Sequence, residues 1–185
     1  MSRRTFYVDI GPAFCQFSPV RVLGIDPGLQ VTGYGLLELG GAVPCLVEAG
    51  VIRTTEGRSV AERLSEIARG LDEIIREFKP EAMAIEELYS HYSHPTTAII
   101  MGHARGVVLL KAAENGLTVF PYASTRIKKS LLGNGRASKE QVQRMIRATL
   151  GLKEVPEPPD AADALAAALC HCRAMEHNVE PAGTR

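Results

Sequence analysis

The chain carries no net charge: 21 lysines and arginines balance 21 aspartates and glutamates among 185 residues. Bulk charge therefore does not advertise a polyanionic partner, and any affinity for nucleic acid has to come from local distribution. Long apolar runs are missing as well. None approaches the roughly 20 residues needed to span a bilayer, so no membrane partner is expected. Asp9 and Pro12 interrupt any apolar region after Arg3 and Arg4, which argues against a secretory signal. The expected compartment is the cytoplasm. Cysteine is scarce, limited to Cys15, Cys45, Cys170 and Cys172, and in a cytosolic chain these are expected to be reduced. Cys170-His171-Cys172 invites a zinc reading, but the spacing is wrong for paired-cysteine sites and adjacent helical positions splay apart. Repeats and low-complexity segments are absent. The hydrophobic share of 45% and charged share of 23% are those of an ordinary globular domain, long enough for one sizeable core.

Residues 1–19 show no sustained period and are broken by Pro12 and Pro19. They read as a poorly ordered leader, an upstream extension or a misassigned start. The folded domain is expected over 20–177, with a flexible tail at 178–185. From Val20 the pattern is three strands, Val20–Asp26, Val31–Leu39 and Val47–Thr54, whose short connections favour an antiparallel meander. Ser59–Phe78 has helical spacing at Leu64, Ile67, Leu71, Ile74, Ile75 and Phe78, and Ser59 with Glu62 forms a capping box. Pro80 ends it. Ala82–Glu86 is a short apolar strand, and a helix between strands implies a parallel crossover. A helix over Thr96–Glu114, a strand over Leu117–Tyr122 and a helix over Ser124–Leu132 follow, stopped by Gly133 and Gly135. Ser138 and Gln141 cap another helix to about Leu150. A proline-rich stretch then delivers a last helix from about Asp160. The class is α/β with a mixed sheet.

Two carboxylates stand at strand ends. Asp26 follows an apolar strand and precedes Pro27-Gly28; Glu86 follows Ala-Met-Ala-Ile. A carboxylate there must be hydrogen-bonded, paired or on a metal, and for either alone a turn or cap is the commoner explanation. Parallel neighbouring strands would bring the two together. Asp160 and Asp163, three apart at a helix start, project from one face. Capping and the helix dipole explain each singly. They do not explain Ala161, Ala162, Ala164, Ala166, Ala167 and Ala168 around them. An alanine surface lets a helix lie close against a sheet and carry both carboxylates to the strand-end pair. Such a cluster repels itself unless a hard cation neutralises it. Magnesium suits oxygen ligands, and two such ions roughly 3.5–4 Å apart serve phosphodiester hydrolysis.

The strings Gly24–Gly28 (GIDPG), Thr32–Gly35 (TGYG), Ala84–Glu87 (AIEE), His103–Gly106 (HARG) and Asp160–Ala166 (DAADALA), in this order and spacing, resemble RuvC-type Holliday junction resolvases from Val20 to about Cys172. The resemblance implies a ribonuclease-H-like fold, a mixed five-stranded sheet flanked by helices. It implies a homodimer and paired symmetric nicks in four-way junctions, in recombination and DNA repair. Its catalytic and metal-binding carboxylates fall on Asp26, Glu86, Asp160 and Asp163. The cofactor it implies is two Mg2+ ions per subunit, with Mn2+ as a substitute, and the partner a branch-migration helicase complex of the RuvA and RuvB type. Such proteins usually begin near GIDPG, so the leader departs from the pattern.

Between Arg126 and Arg147 lie Arg126, Lys128, Lys129, Arg136, Lys139, Arg144 and Arg147 against Glu140 alone. This excess would attract phosphates, although a solvated helical face explains it equally. Lys128 and Lys139 match family positions near the scissile phosphate, where either would neutralise charge in the transition state. Arg126, Lys129 and Arg136 suit backbone contacts. Tyr89, three residues beyond Glu86, occupies the place of a family aromatic that stacks near the crossover; for Tyr92 a packed core role is as good. Gly102 and Gly106, four apart on one helix, permit close helix contact, either within the chain or, by the resemblance, at the dimer interface. Two other readings stay open. One is another ribonuclease-H-fold nuclease, acting on RNA–DNA hybrids. The other is an actin-like ATP-binding half, for which about 165 residues after the leader leave too little room. A non-catalytic DNA-binding module fits poorly with four acidic positions filled.

Overall fold

The computed structural model describes residues 4–5, 19–41, 43–87 and 95–178. The elements are β1 (Arg4–Thr5), β2 (Val20–Asp26), β3 (Val31–Leu39), β4 (Cys45–Arg53), α1 (Val60–Phe78), β5 (Ala82–Glu86), α2 (Pro95–Glu114), β6 (Thr118–Tyr122), α3 (Ser124–Leu132), α4 (Lys139–Thr149) and α5 (Pro159–Asn178). They form one sheet in the order β1-β4-β3-β2-β5-β6. The expected meander is there: β2 pairs antiparallel with β3, and β3 with β4. The crossovers are there too, since β5 lies parallel to β2 and β6 parallel to β5. The five expected strands gain a short sixth from the leader, where Arg4 and Thr5 pair with Val51 and Gly50 at the outer edge of β4. The expected tail beyond α5 lies outside the described residues.

Local signals account for the helices. Both capping boxes form, Ser59 with Glu62 and Ser138 with Gln141, satisfying backbone donors that a helix start leaves without partners. The strands sort their side chains by the two-residue pleat. Leu23, Ile25, Tyr34, Leu36, Met83 and Ile85 face α1 and α2, packing on Ile67, Leu71, Ile74, Ala104 and Val108. Val22, Leu37 and Ala84 face the other way, into a second cluster with α3, α4 and α5.

The α5 side is built for close approach. Ala161, Ala162, Ala164 and Ala166–Ala168 are buried, as the alanine pattern predicts. The sheet contributes its share through glycine. A Cβ on Gly24 would sit 2.0 Å from the Ala164 carbonyl oxygen, and one on Gly33 would sit 2.0 Å from that of Asp160. No side chain fits at either place, so the helix backbone rests directly on the strands.

Candidate active site

The same pleat that points Val22 and Gly24 at α5 points Asp26 there, and the same holds for Ala84 and Glu86 on β5. The parallel register pairs Gly24 with Ala84 and Ile25 with Ile85, so the next residues along, Asp26 and Glu86, finish neighbouring strands side by side. Helix α5 arrives over them by its N-terminal turn, bringing Asp160 and Asp163. Asp26, Glu86 and Asp163 line one cleft of roughly 290 Å3, together with Lys128 from α3 and Lys139 from α4. Asp160 is not part of the lining, but its charge reaches Asp26.

The electrostatics are those of an acidic cluster short of positive charge. Burial, then the charges of Asp163, Glu86 and Asp160, push the Asp26 carboxyl up to about 7. Burial also raises Glu86, against a lowering hydrogen bond from Ser124. Lys139 is the local counter-charge. Its Nζ lies 2.8 Å from Asp163 Oδ2, and that hydrogen bond raises its own pKa. Among the described residues no three acidic, histidine or cysteine side chains converge as a ready-made metal ligand set.

The remaining expected residues divide. Arg126 is exposed and lies over the Tyr122 ring, 4.9 Å from its centroid; Lys129 and Arg136 are exposed too. None of the three lines the cleft. Tyr89 and Tyr92 lie outside the described residues. Gly102 and Gly106 are exposed, and among the described residues a Cβ on either would meet nothing within 4 Å. The same helix exposes Ile99, Leu109 and Leu110. Cys170 and Cys172 are free and buried. His171 stacks on Phe120 at 4.1 Å, and its Nδ1 shares a 2.7 Å hydrogen bond with the Tyr122 hydroxyl.

Three cleft residues escaped the sequence reading. Ser124, met there only as a helix start, reaches Glu86. Glu87 adds another carboxylate to the lining, and Met101 closes it from α2. The available signal was topological: Ser124 follows β6, which ends level with Glu86 through the Glu86–Tyr122 pair.

The family model for the crossover junction endodeoxyribonuclease RuvC matches residues 22–171. The chain belongs to the RuvC family. RuvC of Rhodopirellula baltica is 50% identical over 149 residues, covering 80% of this chain and 84% of that one. RuvC of Pelotomaculum thermopropionicum is 47% identical over 150 residues, covering 81% and 91%. Among solved structures, T. thermophilus RuvC in complex with Holliday junction substrate superposes with a TM-score of 0.78 at 36% identity, covering 85% of this chain and 96% of that one. The yeast mitochondrial Holliday junction resolvase Ydc2, 12% identical with a TM-score of 0.60, shares the fold. The RuvC match spans all four carboxylates, Lys128 and Lys139. RuvC membership carries the ribonuclease-H-like fold and sets aside the reading as half of an actin-like ATPase.

Proposed function

We propose that this chain is a magnesium-dependent Holliday junction resolvase, acting in the cytoplasm in recombination and DNA repair. The observation that carries the reading is the cleft itself. Asp26, Glu86 and Asp163 line it from three separated segments, with Lys128 and Lys139 beside them, in a RuvC-family chain similar to a protein solved with junction DNA.

The donor set fits a hard divalent cation. It is all oxygen, half-buried and self-repelling, so that Asp26 is held protonated up to about pH 7 unless a cation is supplied. Asp26, Glu86, Asp160 and Asp163 would hold two Mg2+ ions, with Mn2+ as a substitute. When bound, the ions supply activation of water and stabilisation of the leaving oxygen. The chain does the rest. Ser124 orients Glu86 by its hydrogen bond. Lys128 and Lys139 face the position of a scissile phosphate and offset charge that grows as the bond breaks. Arg126, Lys129 and Arg136, on the outer surface of α3 and the turn beyond it, hold flanking phosphates. Tyr89 stacks on a base at the crossover.

Paired cutting needs two clefts related by a two-fold axis, because one cluster cuts one strand at a time. The open face of α2 around Gly102 and Gly106, with Ile99, Leu109 and Leu110 exposed, supports a homodimer formed there. A branch-migration helicase of the RuvA and RuvB type is the partner that would deliver the junction.

The test is one incubation of the purified protein with labelled four-way junction, linear duplex and RNA–DNA hybrid, with and without Mg2+. Symmetric paired nicks in the junction, requiring Mg2+, are the expected result. Equal cutting of the hybrid would move the reading to another nuclease of this fold.

A further inference from the structure

Glu86 is the last residue of β5, and its carboxylate is useful only if the backbone beneath it is fixed. On one side β6 does this: Glu86 pairs with Tyr122, and the Glu87 N–H donates to the Tyr122 carbonyl at 2.9 Å. On the other side the ladder to β2 ends one residue earlier, at the Ile25–Ile85 pair. The Glu86 carbonyl instead accepts a hydrogen bond from Arg105 Nη1, at 2.6 Å, across from α2. We infer that Arg105 is a positioning residue for the cleavage reaction, setting through the Glu86 carbonyl how the Glu86 carboxylate is presented to the cleft. The inference rests on the catalytic role proposed for Glu86.

Three features favour this over simple packing. The bond is charge-assisted and half-shielded from water, so it is short and directional. Burial opposes the charged form of Arg105, against a smaller opposite effect of the Glu87 carboxylate, a cost that a leucine or alanine at this helix position would avoid. The neighbouring contacts of α2 with the core are made by Ala104, Val108 and Ala112, which would hold the helix without it. Arg105 also lies beside Gly106, on the flank between that buried stripe and the open face of α2. A change in the seating of α2 therefore reaches Glu86 through this side chain.

The test compares Arg105→Met, which removes the donor, with Arg105→Lys, which returns one charged donor on a shorter reach. Both are made in the full chain and studied with a four-way junction. Junction affinity is measured without Mg2+, single-turnover cleavage is started by adding it, and hydrogen exchange is followed at the Glu87 amide. Arg105→Met is expected to slow cleavage by roughly ten- to hundredfold, the scale of a small misplacement of a reacting group. Junction affinity should stay unchanged, and exchange at Glu87 should quicken while the interior amides of β5 keep their protection. Arg105→Lys should recover part of the rate. Wild-type cleavage by Arg105→Met, or loss of rate and affinity in the same proportion, would overturn the inference. So would an Arg105→Lys protein no faster than the methionine variant. If Arg105→Met melts below the assay temperature, Arg105→Leu, which also lacks a donor, takes its place under the same criteria. Glu86→Gln is run alongside: normal cleavage by that variant would mean that the reading of the site has failed, and not merely the role of Arg105.

Discussion

The two sides of the sheet solve the burial of a carboxylate in opposite ways. Toward α1, Glu66 is buried but fully served. It accepts from the Thr55 N–H at 2.7 Å and the Thr55 hydroxyl at 2.9 Å, and pairs with Arg58 at 2.9 Å. The Thr55 amide bond, first among these partners, holds its carboxyl below the usual range. Toward α5, Asp26 meets three other acids and is pushed up to about 7. The surroundings differ in kind as well. Around α1 and α2 the core is large aliphatic side chains in mutual contact. Under α5 it is alanine on glycine, with no room to rearrange. A carboxylate that stabilises the fold is given donors; the cluster proposed for catalysis is left needing charge from outside. The small-residue seat exists because Asp160 and Asp163 ride on the helix backbone, and any spacer beneath α5 would lift them away.

The sharpest way to break this contrast is to remove charge from the needy side. Asp26→Asn and Glu86→Gln should each reduce junction cleavage by at least about a hundredfold, on the scale of losing a main electrostatic element of a site. Junction binding should be largely retained, because ligand charge is lost and DNA contacts are not. Nearly normal nicking in Mg2+ by either would mean that the cluster is structural.

Next in size is the seat of α5. Gly24→Ala forces a methyl group against the Ala164 carbonyl and should cost about 1–3 kcal/mol of stability, as overpacking does. It should also slow cleavage by the folded protein. Ile74→Ala, in the aliphatic core, should cost about 2–5 kcal/mol and leave cleavage by the folded protein unchanged. Denaturant melts beside single-turnover assays separate the two. Equal catalytic loss from both would dissolve the distinction between the faces.

The pH dependence sharpens the comparison further, because the two acids have opposite signs. Asp26 binds its proton more tightly folded than unfolded, so its contribution to stability without metal falls as pH rises from about 4 to about 7. Glu66 is depressed, so its contribution is present above the ordinary glutamate pKa and is lost as pH falls through its lowered folded value. Melting in a chelator across this range should show Asp26→Asn removing the neutral-side loss and Glu66→Gln removing the acid-side one. A metal-free wild type that gains stability steadily up to pH 7 and is unaffected by Asp26→Asn would contradict the raised pKa.

A smaller change is expected at the rim. Lys128→Ala should slow cleavage more than it weakens binding, whereas Arg126 and Lys129 changed together should weaken binding and flatten its salt dependence. Proportional losses in Lys128→Ala would make it a tether. The least local disturbance is expected from Gly106→Leu. A Cβ there would meet nothing within 4 Å among the described residues, so the melt should hold while sedimentation shows a weakened dimer. A tight dimer with paired cuts would place the interface elsewhere.

Much of this was readable in residue order. A short apolar run marked β5, and the glycines beyond Leu132 marked the end of α3, at their observed limits, and four carboxylates could be singled out because each sat at or near the end of an element. Alanine around Asp160 and Asp163 told that α5 would lie close. Side-chain partnerships between distant segments were not readable. Arg105 to Glu86, Lys139 to Asp163 and His171 to Tyr122 join positions 19, 24 and 49 residues apart, and no local period encodes such pairs. Nor could spacing tell which way Gly102 and Gly106 face, since helical repetition gives a stripe but not what lies opposite it.

By itself the sequence determined the elements from β2 onward, their alternation and the four acidic positions, because propensity, pleat and capping act over a few neighbouring residues. Only the tertiary structure decided that three of these acids, Asp26, Glu86 and Asp163, share one cleft, that one of them is forced up to about 7, and that the glycine face of α2 is left open among the described residues. Those outcomes depend on desolvation and on Coulomb interaction across the fold, which are fixed by distance in space and not by distance along the chain.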